Sequence, residues 1–200
     1  MKNQIPKILL YSRLVFALVI LALLFLDYPW EKYLVLTLLY TGIIADIFDG
    51  IIARRLNIST EQLRLHDTII DLFFYFSVLI FLFFKDQYFF YDNIFLVCFI
   101  LLLEIVMYAT SLLRFGKLPS PHAVLSKFWG LYLVIEFTLL LLGINGIHFS
   151  IALCFGLLAH ADRALIYLLI PKWEHDIPSS RHAFLLRQGK TISRNKLFNG

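Results

Sequence analysis

Asp46-Ile47-Phe48-Asp49-Gly50-Ile51-Ile52-Ala53-Arg54, followed downstream by Asp67-Thr68-Ile69-Ile70-Asp71, is the stretch on which the reading of this chain turns. On a helix, Asp46, Asp49, Gly50 and Ala53 stand at i, i+3, i+4 and i+7 and share one face. Asp67 and Asp71 stand at i and i+4 on a second helix. Two helices therefore each present a pair of carboxylates from surroundings that are almost wholly apolar. Four unpaired negative charges converging in a poorly solvated place repel one another and carry a large desolvation cost. Divalent cations between them remove that cost. Aspartate oxygens suit a hard ion such as Mg²⁺ or Mn²⁺, and no nearby Cys or His pairing points to zinc. A pair of such ions suggests chemistry on a phosphate or diphosphate, where they hold the negative oxygens and stabilise a leaving group. The plainer alternative, helix-end charges or partners for Arg54, Arg55 and Arg64, suits a single Asp better than this set of spacings.

Composition gives the setting. The chain has 200 residues, 60% of them hydrophobic, with 20 Phe and a mean hydropathy of +0.78, more than a soluble domain of this size carries. An integral membrane protein of the all-α class is expected, with no nucleic acid as partner. Cys98 and Cys154 lie inside apolar runs without metal-ligand spacing and read as core or lipid-facing thiols. The first apolar run ends in Leu-Leu-Phe-Leu-Asp27 without a small-residue cleavage site, which predicts an uncleaved first span behind a short N-terminal interfacial segment.

Six stretches reach the length of about 20 residues that a bilayer crossing takes; they fall near 8–26, 33–54, 65–84, 90–113, 122–143 and 147–171. Turn or charge signals separate them, as at Asn57-Ile-Ser-Thr-Glu61 and Gly116-Lys-Leu-Pro-Ser-Pro121. No internal repeat is visible, so one transmembrane domain over 1–175 and a basic tail over 176–200 are expected, with the last ten or so residues disordered and a short interfacial helix near Ala183-Phe-Leu-Leu-Arg187. Most Lys and Arg residues fall on one side of this layout, from Lys2 and Lys7 through Arg54, Arg55, Arg64, Arg114, Lys117 and Lys127 to the tail, and the other side holds Lys32 and Lys85. That bias predicts both termini and the aspartate stretch on the cytoplasmic side of a cytoplasmic membrane. Asp46 then lies about 12 Å down the second span from Arg54.

The aspartate stretch resembles the CDP-alcohol phosphatidyltransferases. That family carries D-x-x-D-G-x-x-A-R, eight residues, then G-x-x-x-D-x-x-x-D, and Asp46, Asp49, Gly50, Ala53, Arg54, Asp67 and Asp71 fall at the required spacings. Leu63 stands where the family has its second glycine. Ile5 to Arg13 is similar, more weakly, to the family's N-terminal segment ending in Arg, with Lys7 and Tyr11 departing from it. The resemblance implies a phospholipid-synthesising transferase of the phosphatidylglycerophosphate synthase type. Asp46, Asp49, Asp67 and Asp71 would be ligands of two Mg²⁺ or Mn²⁺ ions on the diphosphate of CDP-diacylglycerol, and Asp71 also the base on the acceptor hydroxyl. Gly50, Ala53 and Arg54 would lie against the nucleotide, CMP would be released, and the enzyme would be a homodimer.

The acceptor is read from the basic segment after the fourth span. Arg114 and Lys127 suit the phosphate of a second anionic substrate, with glycerol 3-phosphate as first choice, then inositol phosphate, then a neutral alcohol. Other classes compatible with the same carboxylates are a cation-binding transporter and a family member that binds without turnover. Leu63 is expected to point toward lipid or a neighbouring helix. Arg13 suits either a phosphate contact or a headgroup-seeking interfacial position. Glu104 and Glu136, deep in apolar sequence, face the bundle interior, and Arg163 of the sixth span is expected to pair with Glu136.

Overall fold

The computed structural model describes residues 4–26, 28–56, 58, 60–85, 88–121, 123–144 and 146–192, the side chains of Arg54, Glu61, Tyr88 and Phe89 excepted. The described residues form helices and connections, in the order α1 Ile5–Leu23, α2 Glu31–Arg55, α3 Glu61–Lys85, α4 Tyr88–Asp92, α5 Ile94–Phe115, α6 Val124–Leu141, α7 Ile147–Leu169 and α8 Ser180–Arg187. Six of these, all but α4 and α8, are long and apolar enough to cross a membrane, as the sequence predicts. Helix is the only open-ended solution in hydrocarbon, because it alone satisfies each backbone N–H and C=O within its own segment. The expected disorder of the last residues falls on 193–200, outside the described residues.

The chain divides into two compact units. The first comprises residues 1–89 with 134–145. In it α1 packs against both α2 and α3. Pro6 opens α1, where its missing N–H costs nothing. The buried residues of α1 are Pro6, Leu10, Arg13, Ala17, Ile20 and Leu23, a stripe at three- and four-residue steps that is apolar except at Arg13. On α2 the matching stripe is Val35, Leu39, Gly42, Ala45, Asp49 and Ala53. Gly42 faces Phe74 of α3 so closely that a Cβ there would stand 2.3 Å from the ring's Cζ. The absence of a side chain therefore sets how near α2 and α3 approach. Glu31 at the start of α2 and Lys85 at the end of α3 pair at 2.8 Å, so these two ends lie together and the helices run antiparallel.

The second unit comprises 90–133 and 146–200. Here α5 packs along α7, and α7 against α8. Gly116, with φ 65, turns the chain out of α5 while its N–H bonds the carbonyl of Leu112 at 2.9 Å. One core cluster joins Met107 of α5, Ala123, Ala164, Ile166 and Tyr167 of α7, and Ile170, Ile177 and Ala183. The segment beyond residue 175 thus contributes buried side chains of its own. Asp162 of α7 accepts the N–H of Ser180 at 2.8 Å, which satisfies one of the donors that α8 leaves open at its start.

Within this unit the charges of α5 and α7 pair with each other. Glu104 accepts from Arg163 at 3.0 Å and lies 2.8 Å from Nδ1 of His160. Arg163 therefore takes Glu104 as its partner, and the expected pairing with Glu136 is corrected. The reason is register: Ile100, Glu104, Met107 and Ser111 form the inner stripe of α5, and Glu104 on that stripe meets the His160–Arg163 turn of α7. The ring of Trp129 stands edge-on to His160 with centroids 4.8 Å apart, completing a structural network.

Candidate active site

Three helices of the first unit bring five charged side chains to one place. Asp46 and Asp49 come from α2, Asp67 and Asp71 from α3, and Arg13 from α1. The Arg13 guanidinium bridges the two aspartate pairs. Its Nη1 donates to Asp46 Oδ1 at 2.7 Å and to Asp71 Oδ1; its Nη2 donates to Asp49 Oδ2 at 2.8 Å and to Asp67 Oδ1 at 2.7 Å. Each Nη thus ties one carboxylate of α2 to one of α3. The Arg13 side chain is 1% exposed, against 8% for Asp49, 20% for Asp67, 33% for Asp71 and 41% for Asp46. The site is closed around Asp49 and Arg13 and open at Asp46 and Asp71.

Burial at 1% rules out the headgroup-seeking position considered for Arg13. A guanidinium reaching for headgroups would leave the inner stripe of α1, and this one completes it. The sequence carried a signal for it: Lys7 and Arg13 are the only charged residues in α1, and Lys7 is exposed. A charge kept on the inner side of an apolar helix is there for a partner.

The carboxylates fit a hard cation. One ligand oxygen each from Asp46, Asp49 and Asp67 lie within 4.8 Å of one another. The donor set is all oxygen, as Mg²⁺ and Mn²⁺ prefer.

Beside the carboxylates opens a cleft with an empty volume of about 320 Å³, counted to include the solvent at its mouth, lined by Pro6, Leu10, Asp49, Gly50, Ala53, Leu63, Arg64 and Asp67. Gly50 and Ala53, assigned to the nucleotide from the sequence, are on its wall. Arg54, assigned with them, has its side chain outside the described residues. Leu63 is also on the wall, and the expectation that it points toward lipid or a neighbouring helix is corrected. Four residues before Asp67 on α3, position 63 lies on the face that carries the aspartates, and its N–H is capped by the Thr60 hydroxyl at 3.2 Å. Pro6, Leu10 and Arg64 were not among the site residues assigned from sequence, although Arg64 was considered there as a partner for the aspartates.

Of the two cations assigned to the acceptor, Arg114 is engaged within the second unit. It donates to the carbonyls of Tyr167 at 2.6 Å, Leu168 at 2.7 Å and Ile170 at 3.1 Å, at the end of α7 where carbonyls lack helical partners. A phosphate there would have to replace those bonds. Lys127 lies in the first turns of α6, half-buried.

A carboxylate cluster able to hold a hard cation, beside a cleft and on helices long and apolar enough to cross a membrane, fits a membrane enzyme that acts on a phosphate ester. Residues 3–167 match the family model of the CDP-alcohol phosphatidyltransferases, and the chain belongs to that family. No curated protein sequence and no solved structure matches it. Membership makes it one of a family of membrane transferases of phospholipid biosynthesis that act on CDP-alcohols and typically depend on a metal.

Proposed function

We propose that this protein transfers the phosphatidyl group of CDP-diacylglycerol to the hydroxyl of glycerol 3-phosphate and releases CMP. The observation that carries the reading is the convergence of Asp46, Asp49, Asp67 and Asp71 beside a cleft walled by Gly50 and Ala53. Asp46, Asp49 and Asp67 would hold divalent ions, with Asp71 completing the set. Two Mg²⁺ or Mn²⁺ ions bound there would supply charge neutralisation at the diphosphate and so make CMP a good leaving group. The small side chains of Gly50 and Ala53 let the nucleotide approach the backbone of α2 closely. Asp49, the most buried of the four, positions ligand charge. Asp71, more open, takes the proton of the acceptor hydroxyl as that oxygen attacks phosphorus.

Arg114 and Lys127 are our assignment for the acceptor phosphate, and their charge is what favours a phosphorylated polyol, glycerol 3-phosphate first and inositol phosphate next, over a neutral alcohol. A homodimer in a cytoplasmic membrane, with the site on the cytoplasmic side, completes the reading. The experiment is CMP release from CDP-diacylglycerol by purified protein, with each class of acceptor added separately and with EDTA as control. Release on adding glycerol 3-phosphate, lost in EDTA, is expected. Release with a neutral alcohol alone overturns the acceptor; undiminished release in excess EDTA overturns the metal; no release with any acceptor points to a transporter or to a member that only binds.

A further inference from the structure

We propose that Arg13 is a built-in counterion of the aspartate site, which divalent ions must displace when they bind. The inference rests on the reading that these carboxylates hold such ions. Arg13 is placed for this by α1, whose other inner residues, Leu10, Ala17 and Ile20, are apolar and almost fully buried. The guanidinium is a planar fork, and both arms of the fork are used twice, each joining an aspartate of α2 to one of α3. A point charge such as an ammonium could not reach all four in this way. The geometry serves the aspartates at the expense of Arg13 itself: Nε is buried and has no acceptor. With the guanidinium in place, the two aspartate pairs are held together although they carry like charges.

The same bonds compete with metal. Asp46 Oδ1, Asp49 Oδ2 and Asp67 Oδ1 each receive an N–H at 2.7 or 2.8 Å. Each carboxylate keeps a second oxygen, but an ion held by these groups at about 2.0–2.1 Å would stand beside the guanidinium and be repelled by it. Loading therefore moves the guanidinium away from the carboxylates. The guanidinium lowers the apparent metal affinity by the fraction of time the oxygens are free; occupied nine-tenths of the time, it weakens binding by about tenfold. Its second effect is to keep the site assembled when metal is scarce.

The test is Mn²⁺ binding, followed by electron paramagnetic resonance, and thermal unfolding in EDTA and in Mn²⁺, on the full chain in detergent. Arg13→Gln keeps most of the side-chain length and removes the charge. It should bind Mn²⁺ about tenfold more tightly than the unaltered chain, unfold at a lower temperature in EDTA, and gain more stability from Mn²⁺. Equal or weaker Mn²⁺ binding by a folded Arg13→Gln overturns the counterion exchange. Should that variant fail to fold, Arg13→Lys, which keeps the charge but loses the fork, replaces it: tighter Mn²⁺ binding than the unaltered chain supports the proposal, equal or weaker binding overturns it. An unaltered chain that binds no Mn²⁺ and releases CMP equally well in EDTA overturns instead the metal reading on which the inference stands.

Discussion

A carboxylate can serve as a base only where the alcohol can reach it; exposure sets Asp49 aside on that criterion and leaves Asp46 and Asp71 open, and the family resemblance selects Asp71. Asp49, at 8%, is enclosed, whereas Asp71, at 33%, opens outward beside Asp46. Asp71→Asn keeps the shape, removes the proton acceptor and weakens one ligand. Turnover should fall by at least about a hundredfold, the lower range for removing a general base, while CDP-diacylglycerol binding stays measurable by calorimetry. Turnover above a tenth of the original would take Asp71 out of the role of base. Leu63 offers a second test, because it lines the cleft that Gly50 and Ala53 also line. We expect its side chain to pack against the bound nucleotide. Leu63→Ala should then raise the KM for CDP-diacylglycerol about three- to tenfold, in keeping with the loss of one to two buried methylenes' worth of contact. Leu63→Gly should do the same and also lower thermal stability, by about 1 kcal/mol of helix propensity. A fall in KM in both variants would show instead that the leucine obstructs the nucleotide.

Between elements, the spacing of α2 and α3 decides whether the two aspartate pairs face each other at working distance. Gly42 lies one turn before Asp46, Phe74 one turn after Asp71, and the two meet in a contact with no room for a Cβ. Gly42→Ala should therefore push Phe74, which is 1% exposed, or separate the helices. Overpacking of this kind costs about 1–3 kcal/mol, so a lower unfolding temperature in detergent is expected, together with weaker Mn²⁺ binding. Phe74→Leu added to Gly42→Ala should recover part of both; no recovery would place the strain elsewhere. The spans and the aspartate faces were legible in the sequence because hydropathy and helical periodicity are local properties. What pairs with what was less so. Arg13 meets partners 33 to 58 residues away, and α1 is apolar on every side, so hydropathy does not mark its inner stripe. Leu63 was misread although its four-residue spacing to Asp67 was there in the sequence; what the sequence did not show is that the cleft reaches this first turn of α3. Arg163 had two buried carboxylates to choose from, Glu104 and Glu136, and only the register of α5 against α7 selects the first.

For the molecule as a membrane protein, the charges that set orientation must be told apart from those with duties inside the bundle. Arg13, Arg163 and Arg114 are held by carboxylates or backbone carbonyls, so they carry little weight as topology signals. On the side of Lys32 and Lys85, Lys85 is in turn neutralised by Glu31 at 2.8 Å. Tyr28 and Trp30, stacked with centroids 5.3 Å apart and both exposed, sit in that same α1–α2 connection, which fits an aromatic anchor at an interface poor in cations. The opposite ends keep Arg55, and beyond α7 come Lys172, Arg181, Arg187 and Lys190. The bias survives this subtraction, and it predicts that the α1–α2 connection is outside and the segment after α8 is cytoplasmic. Cys98 and Cys154, both exposed within α5 and α7, would first be changed to Ser. A single cysteine is then introduced as Tyr28→Cys or Lys190→Cys and treated with a membrane-impermeant maleimide. The Tyr28 variant should label in intact cells, and the Lys190 variant only after the cells are opened. The reverse pattern would invert the protein and place its aspartates on the side where no cytoplasmic nucleotide could reach them, so it would count against CDP-diacylglycerol as the substrate as well as against the orientation.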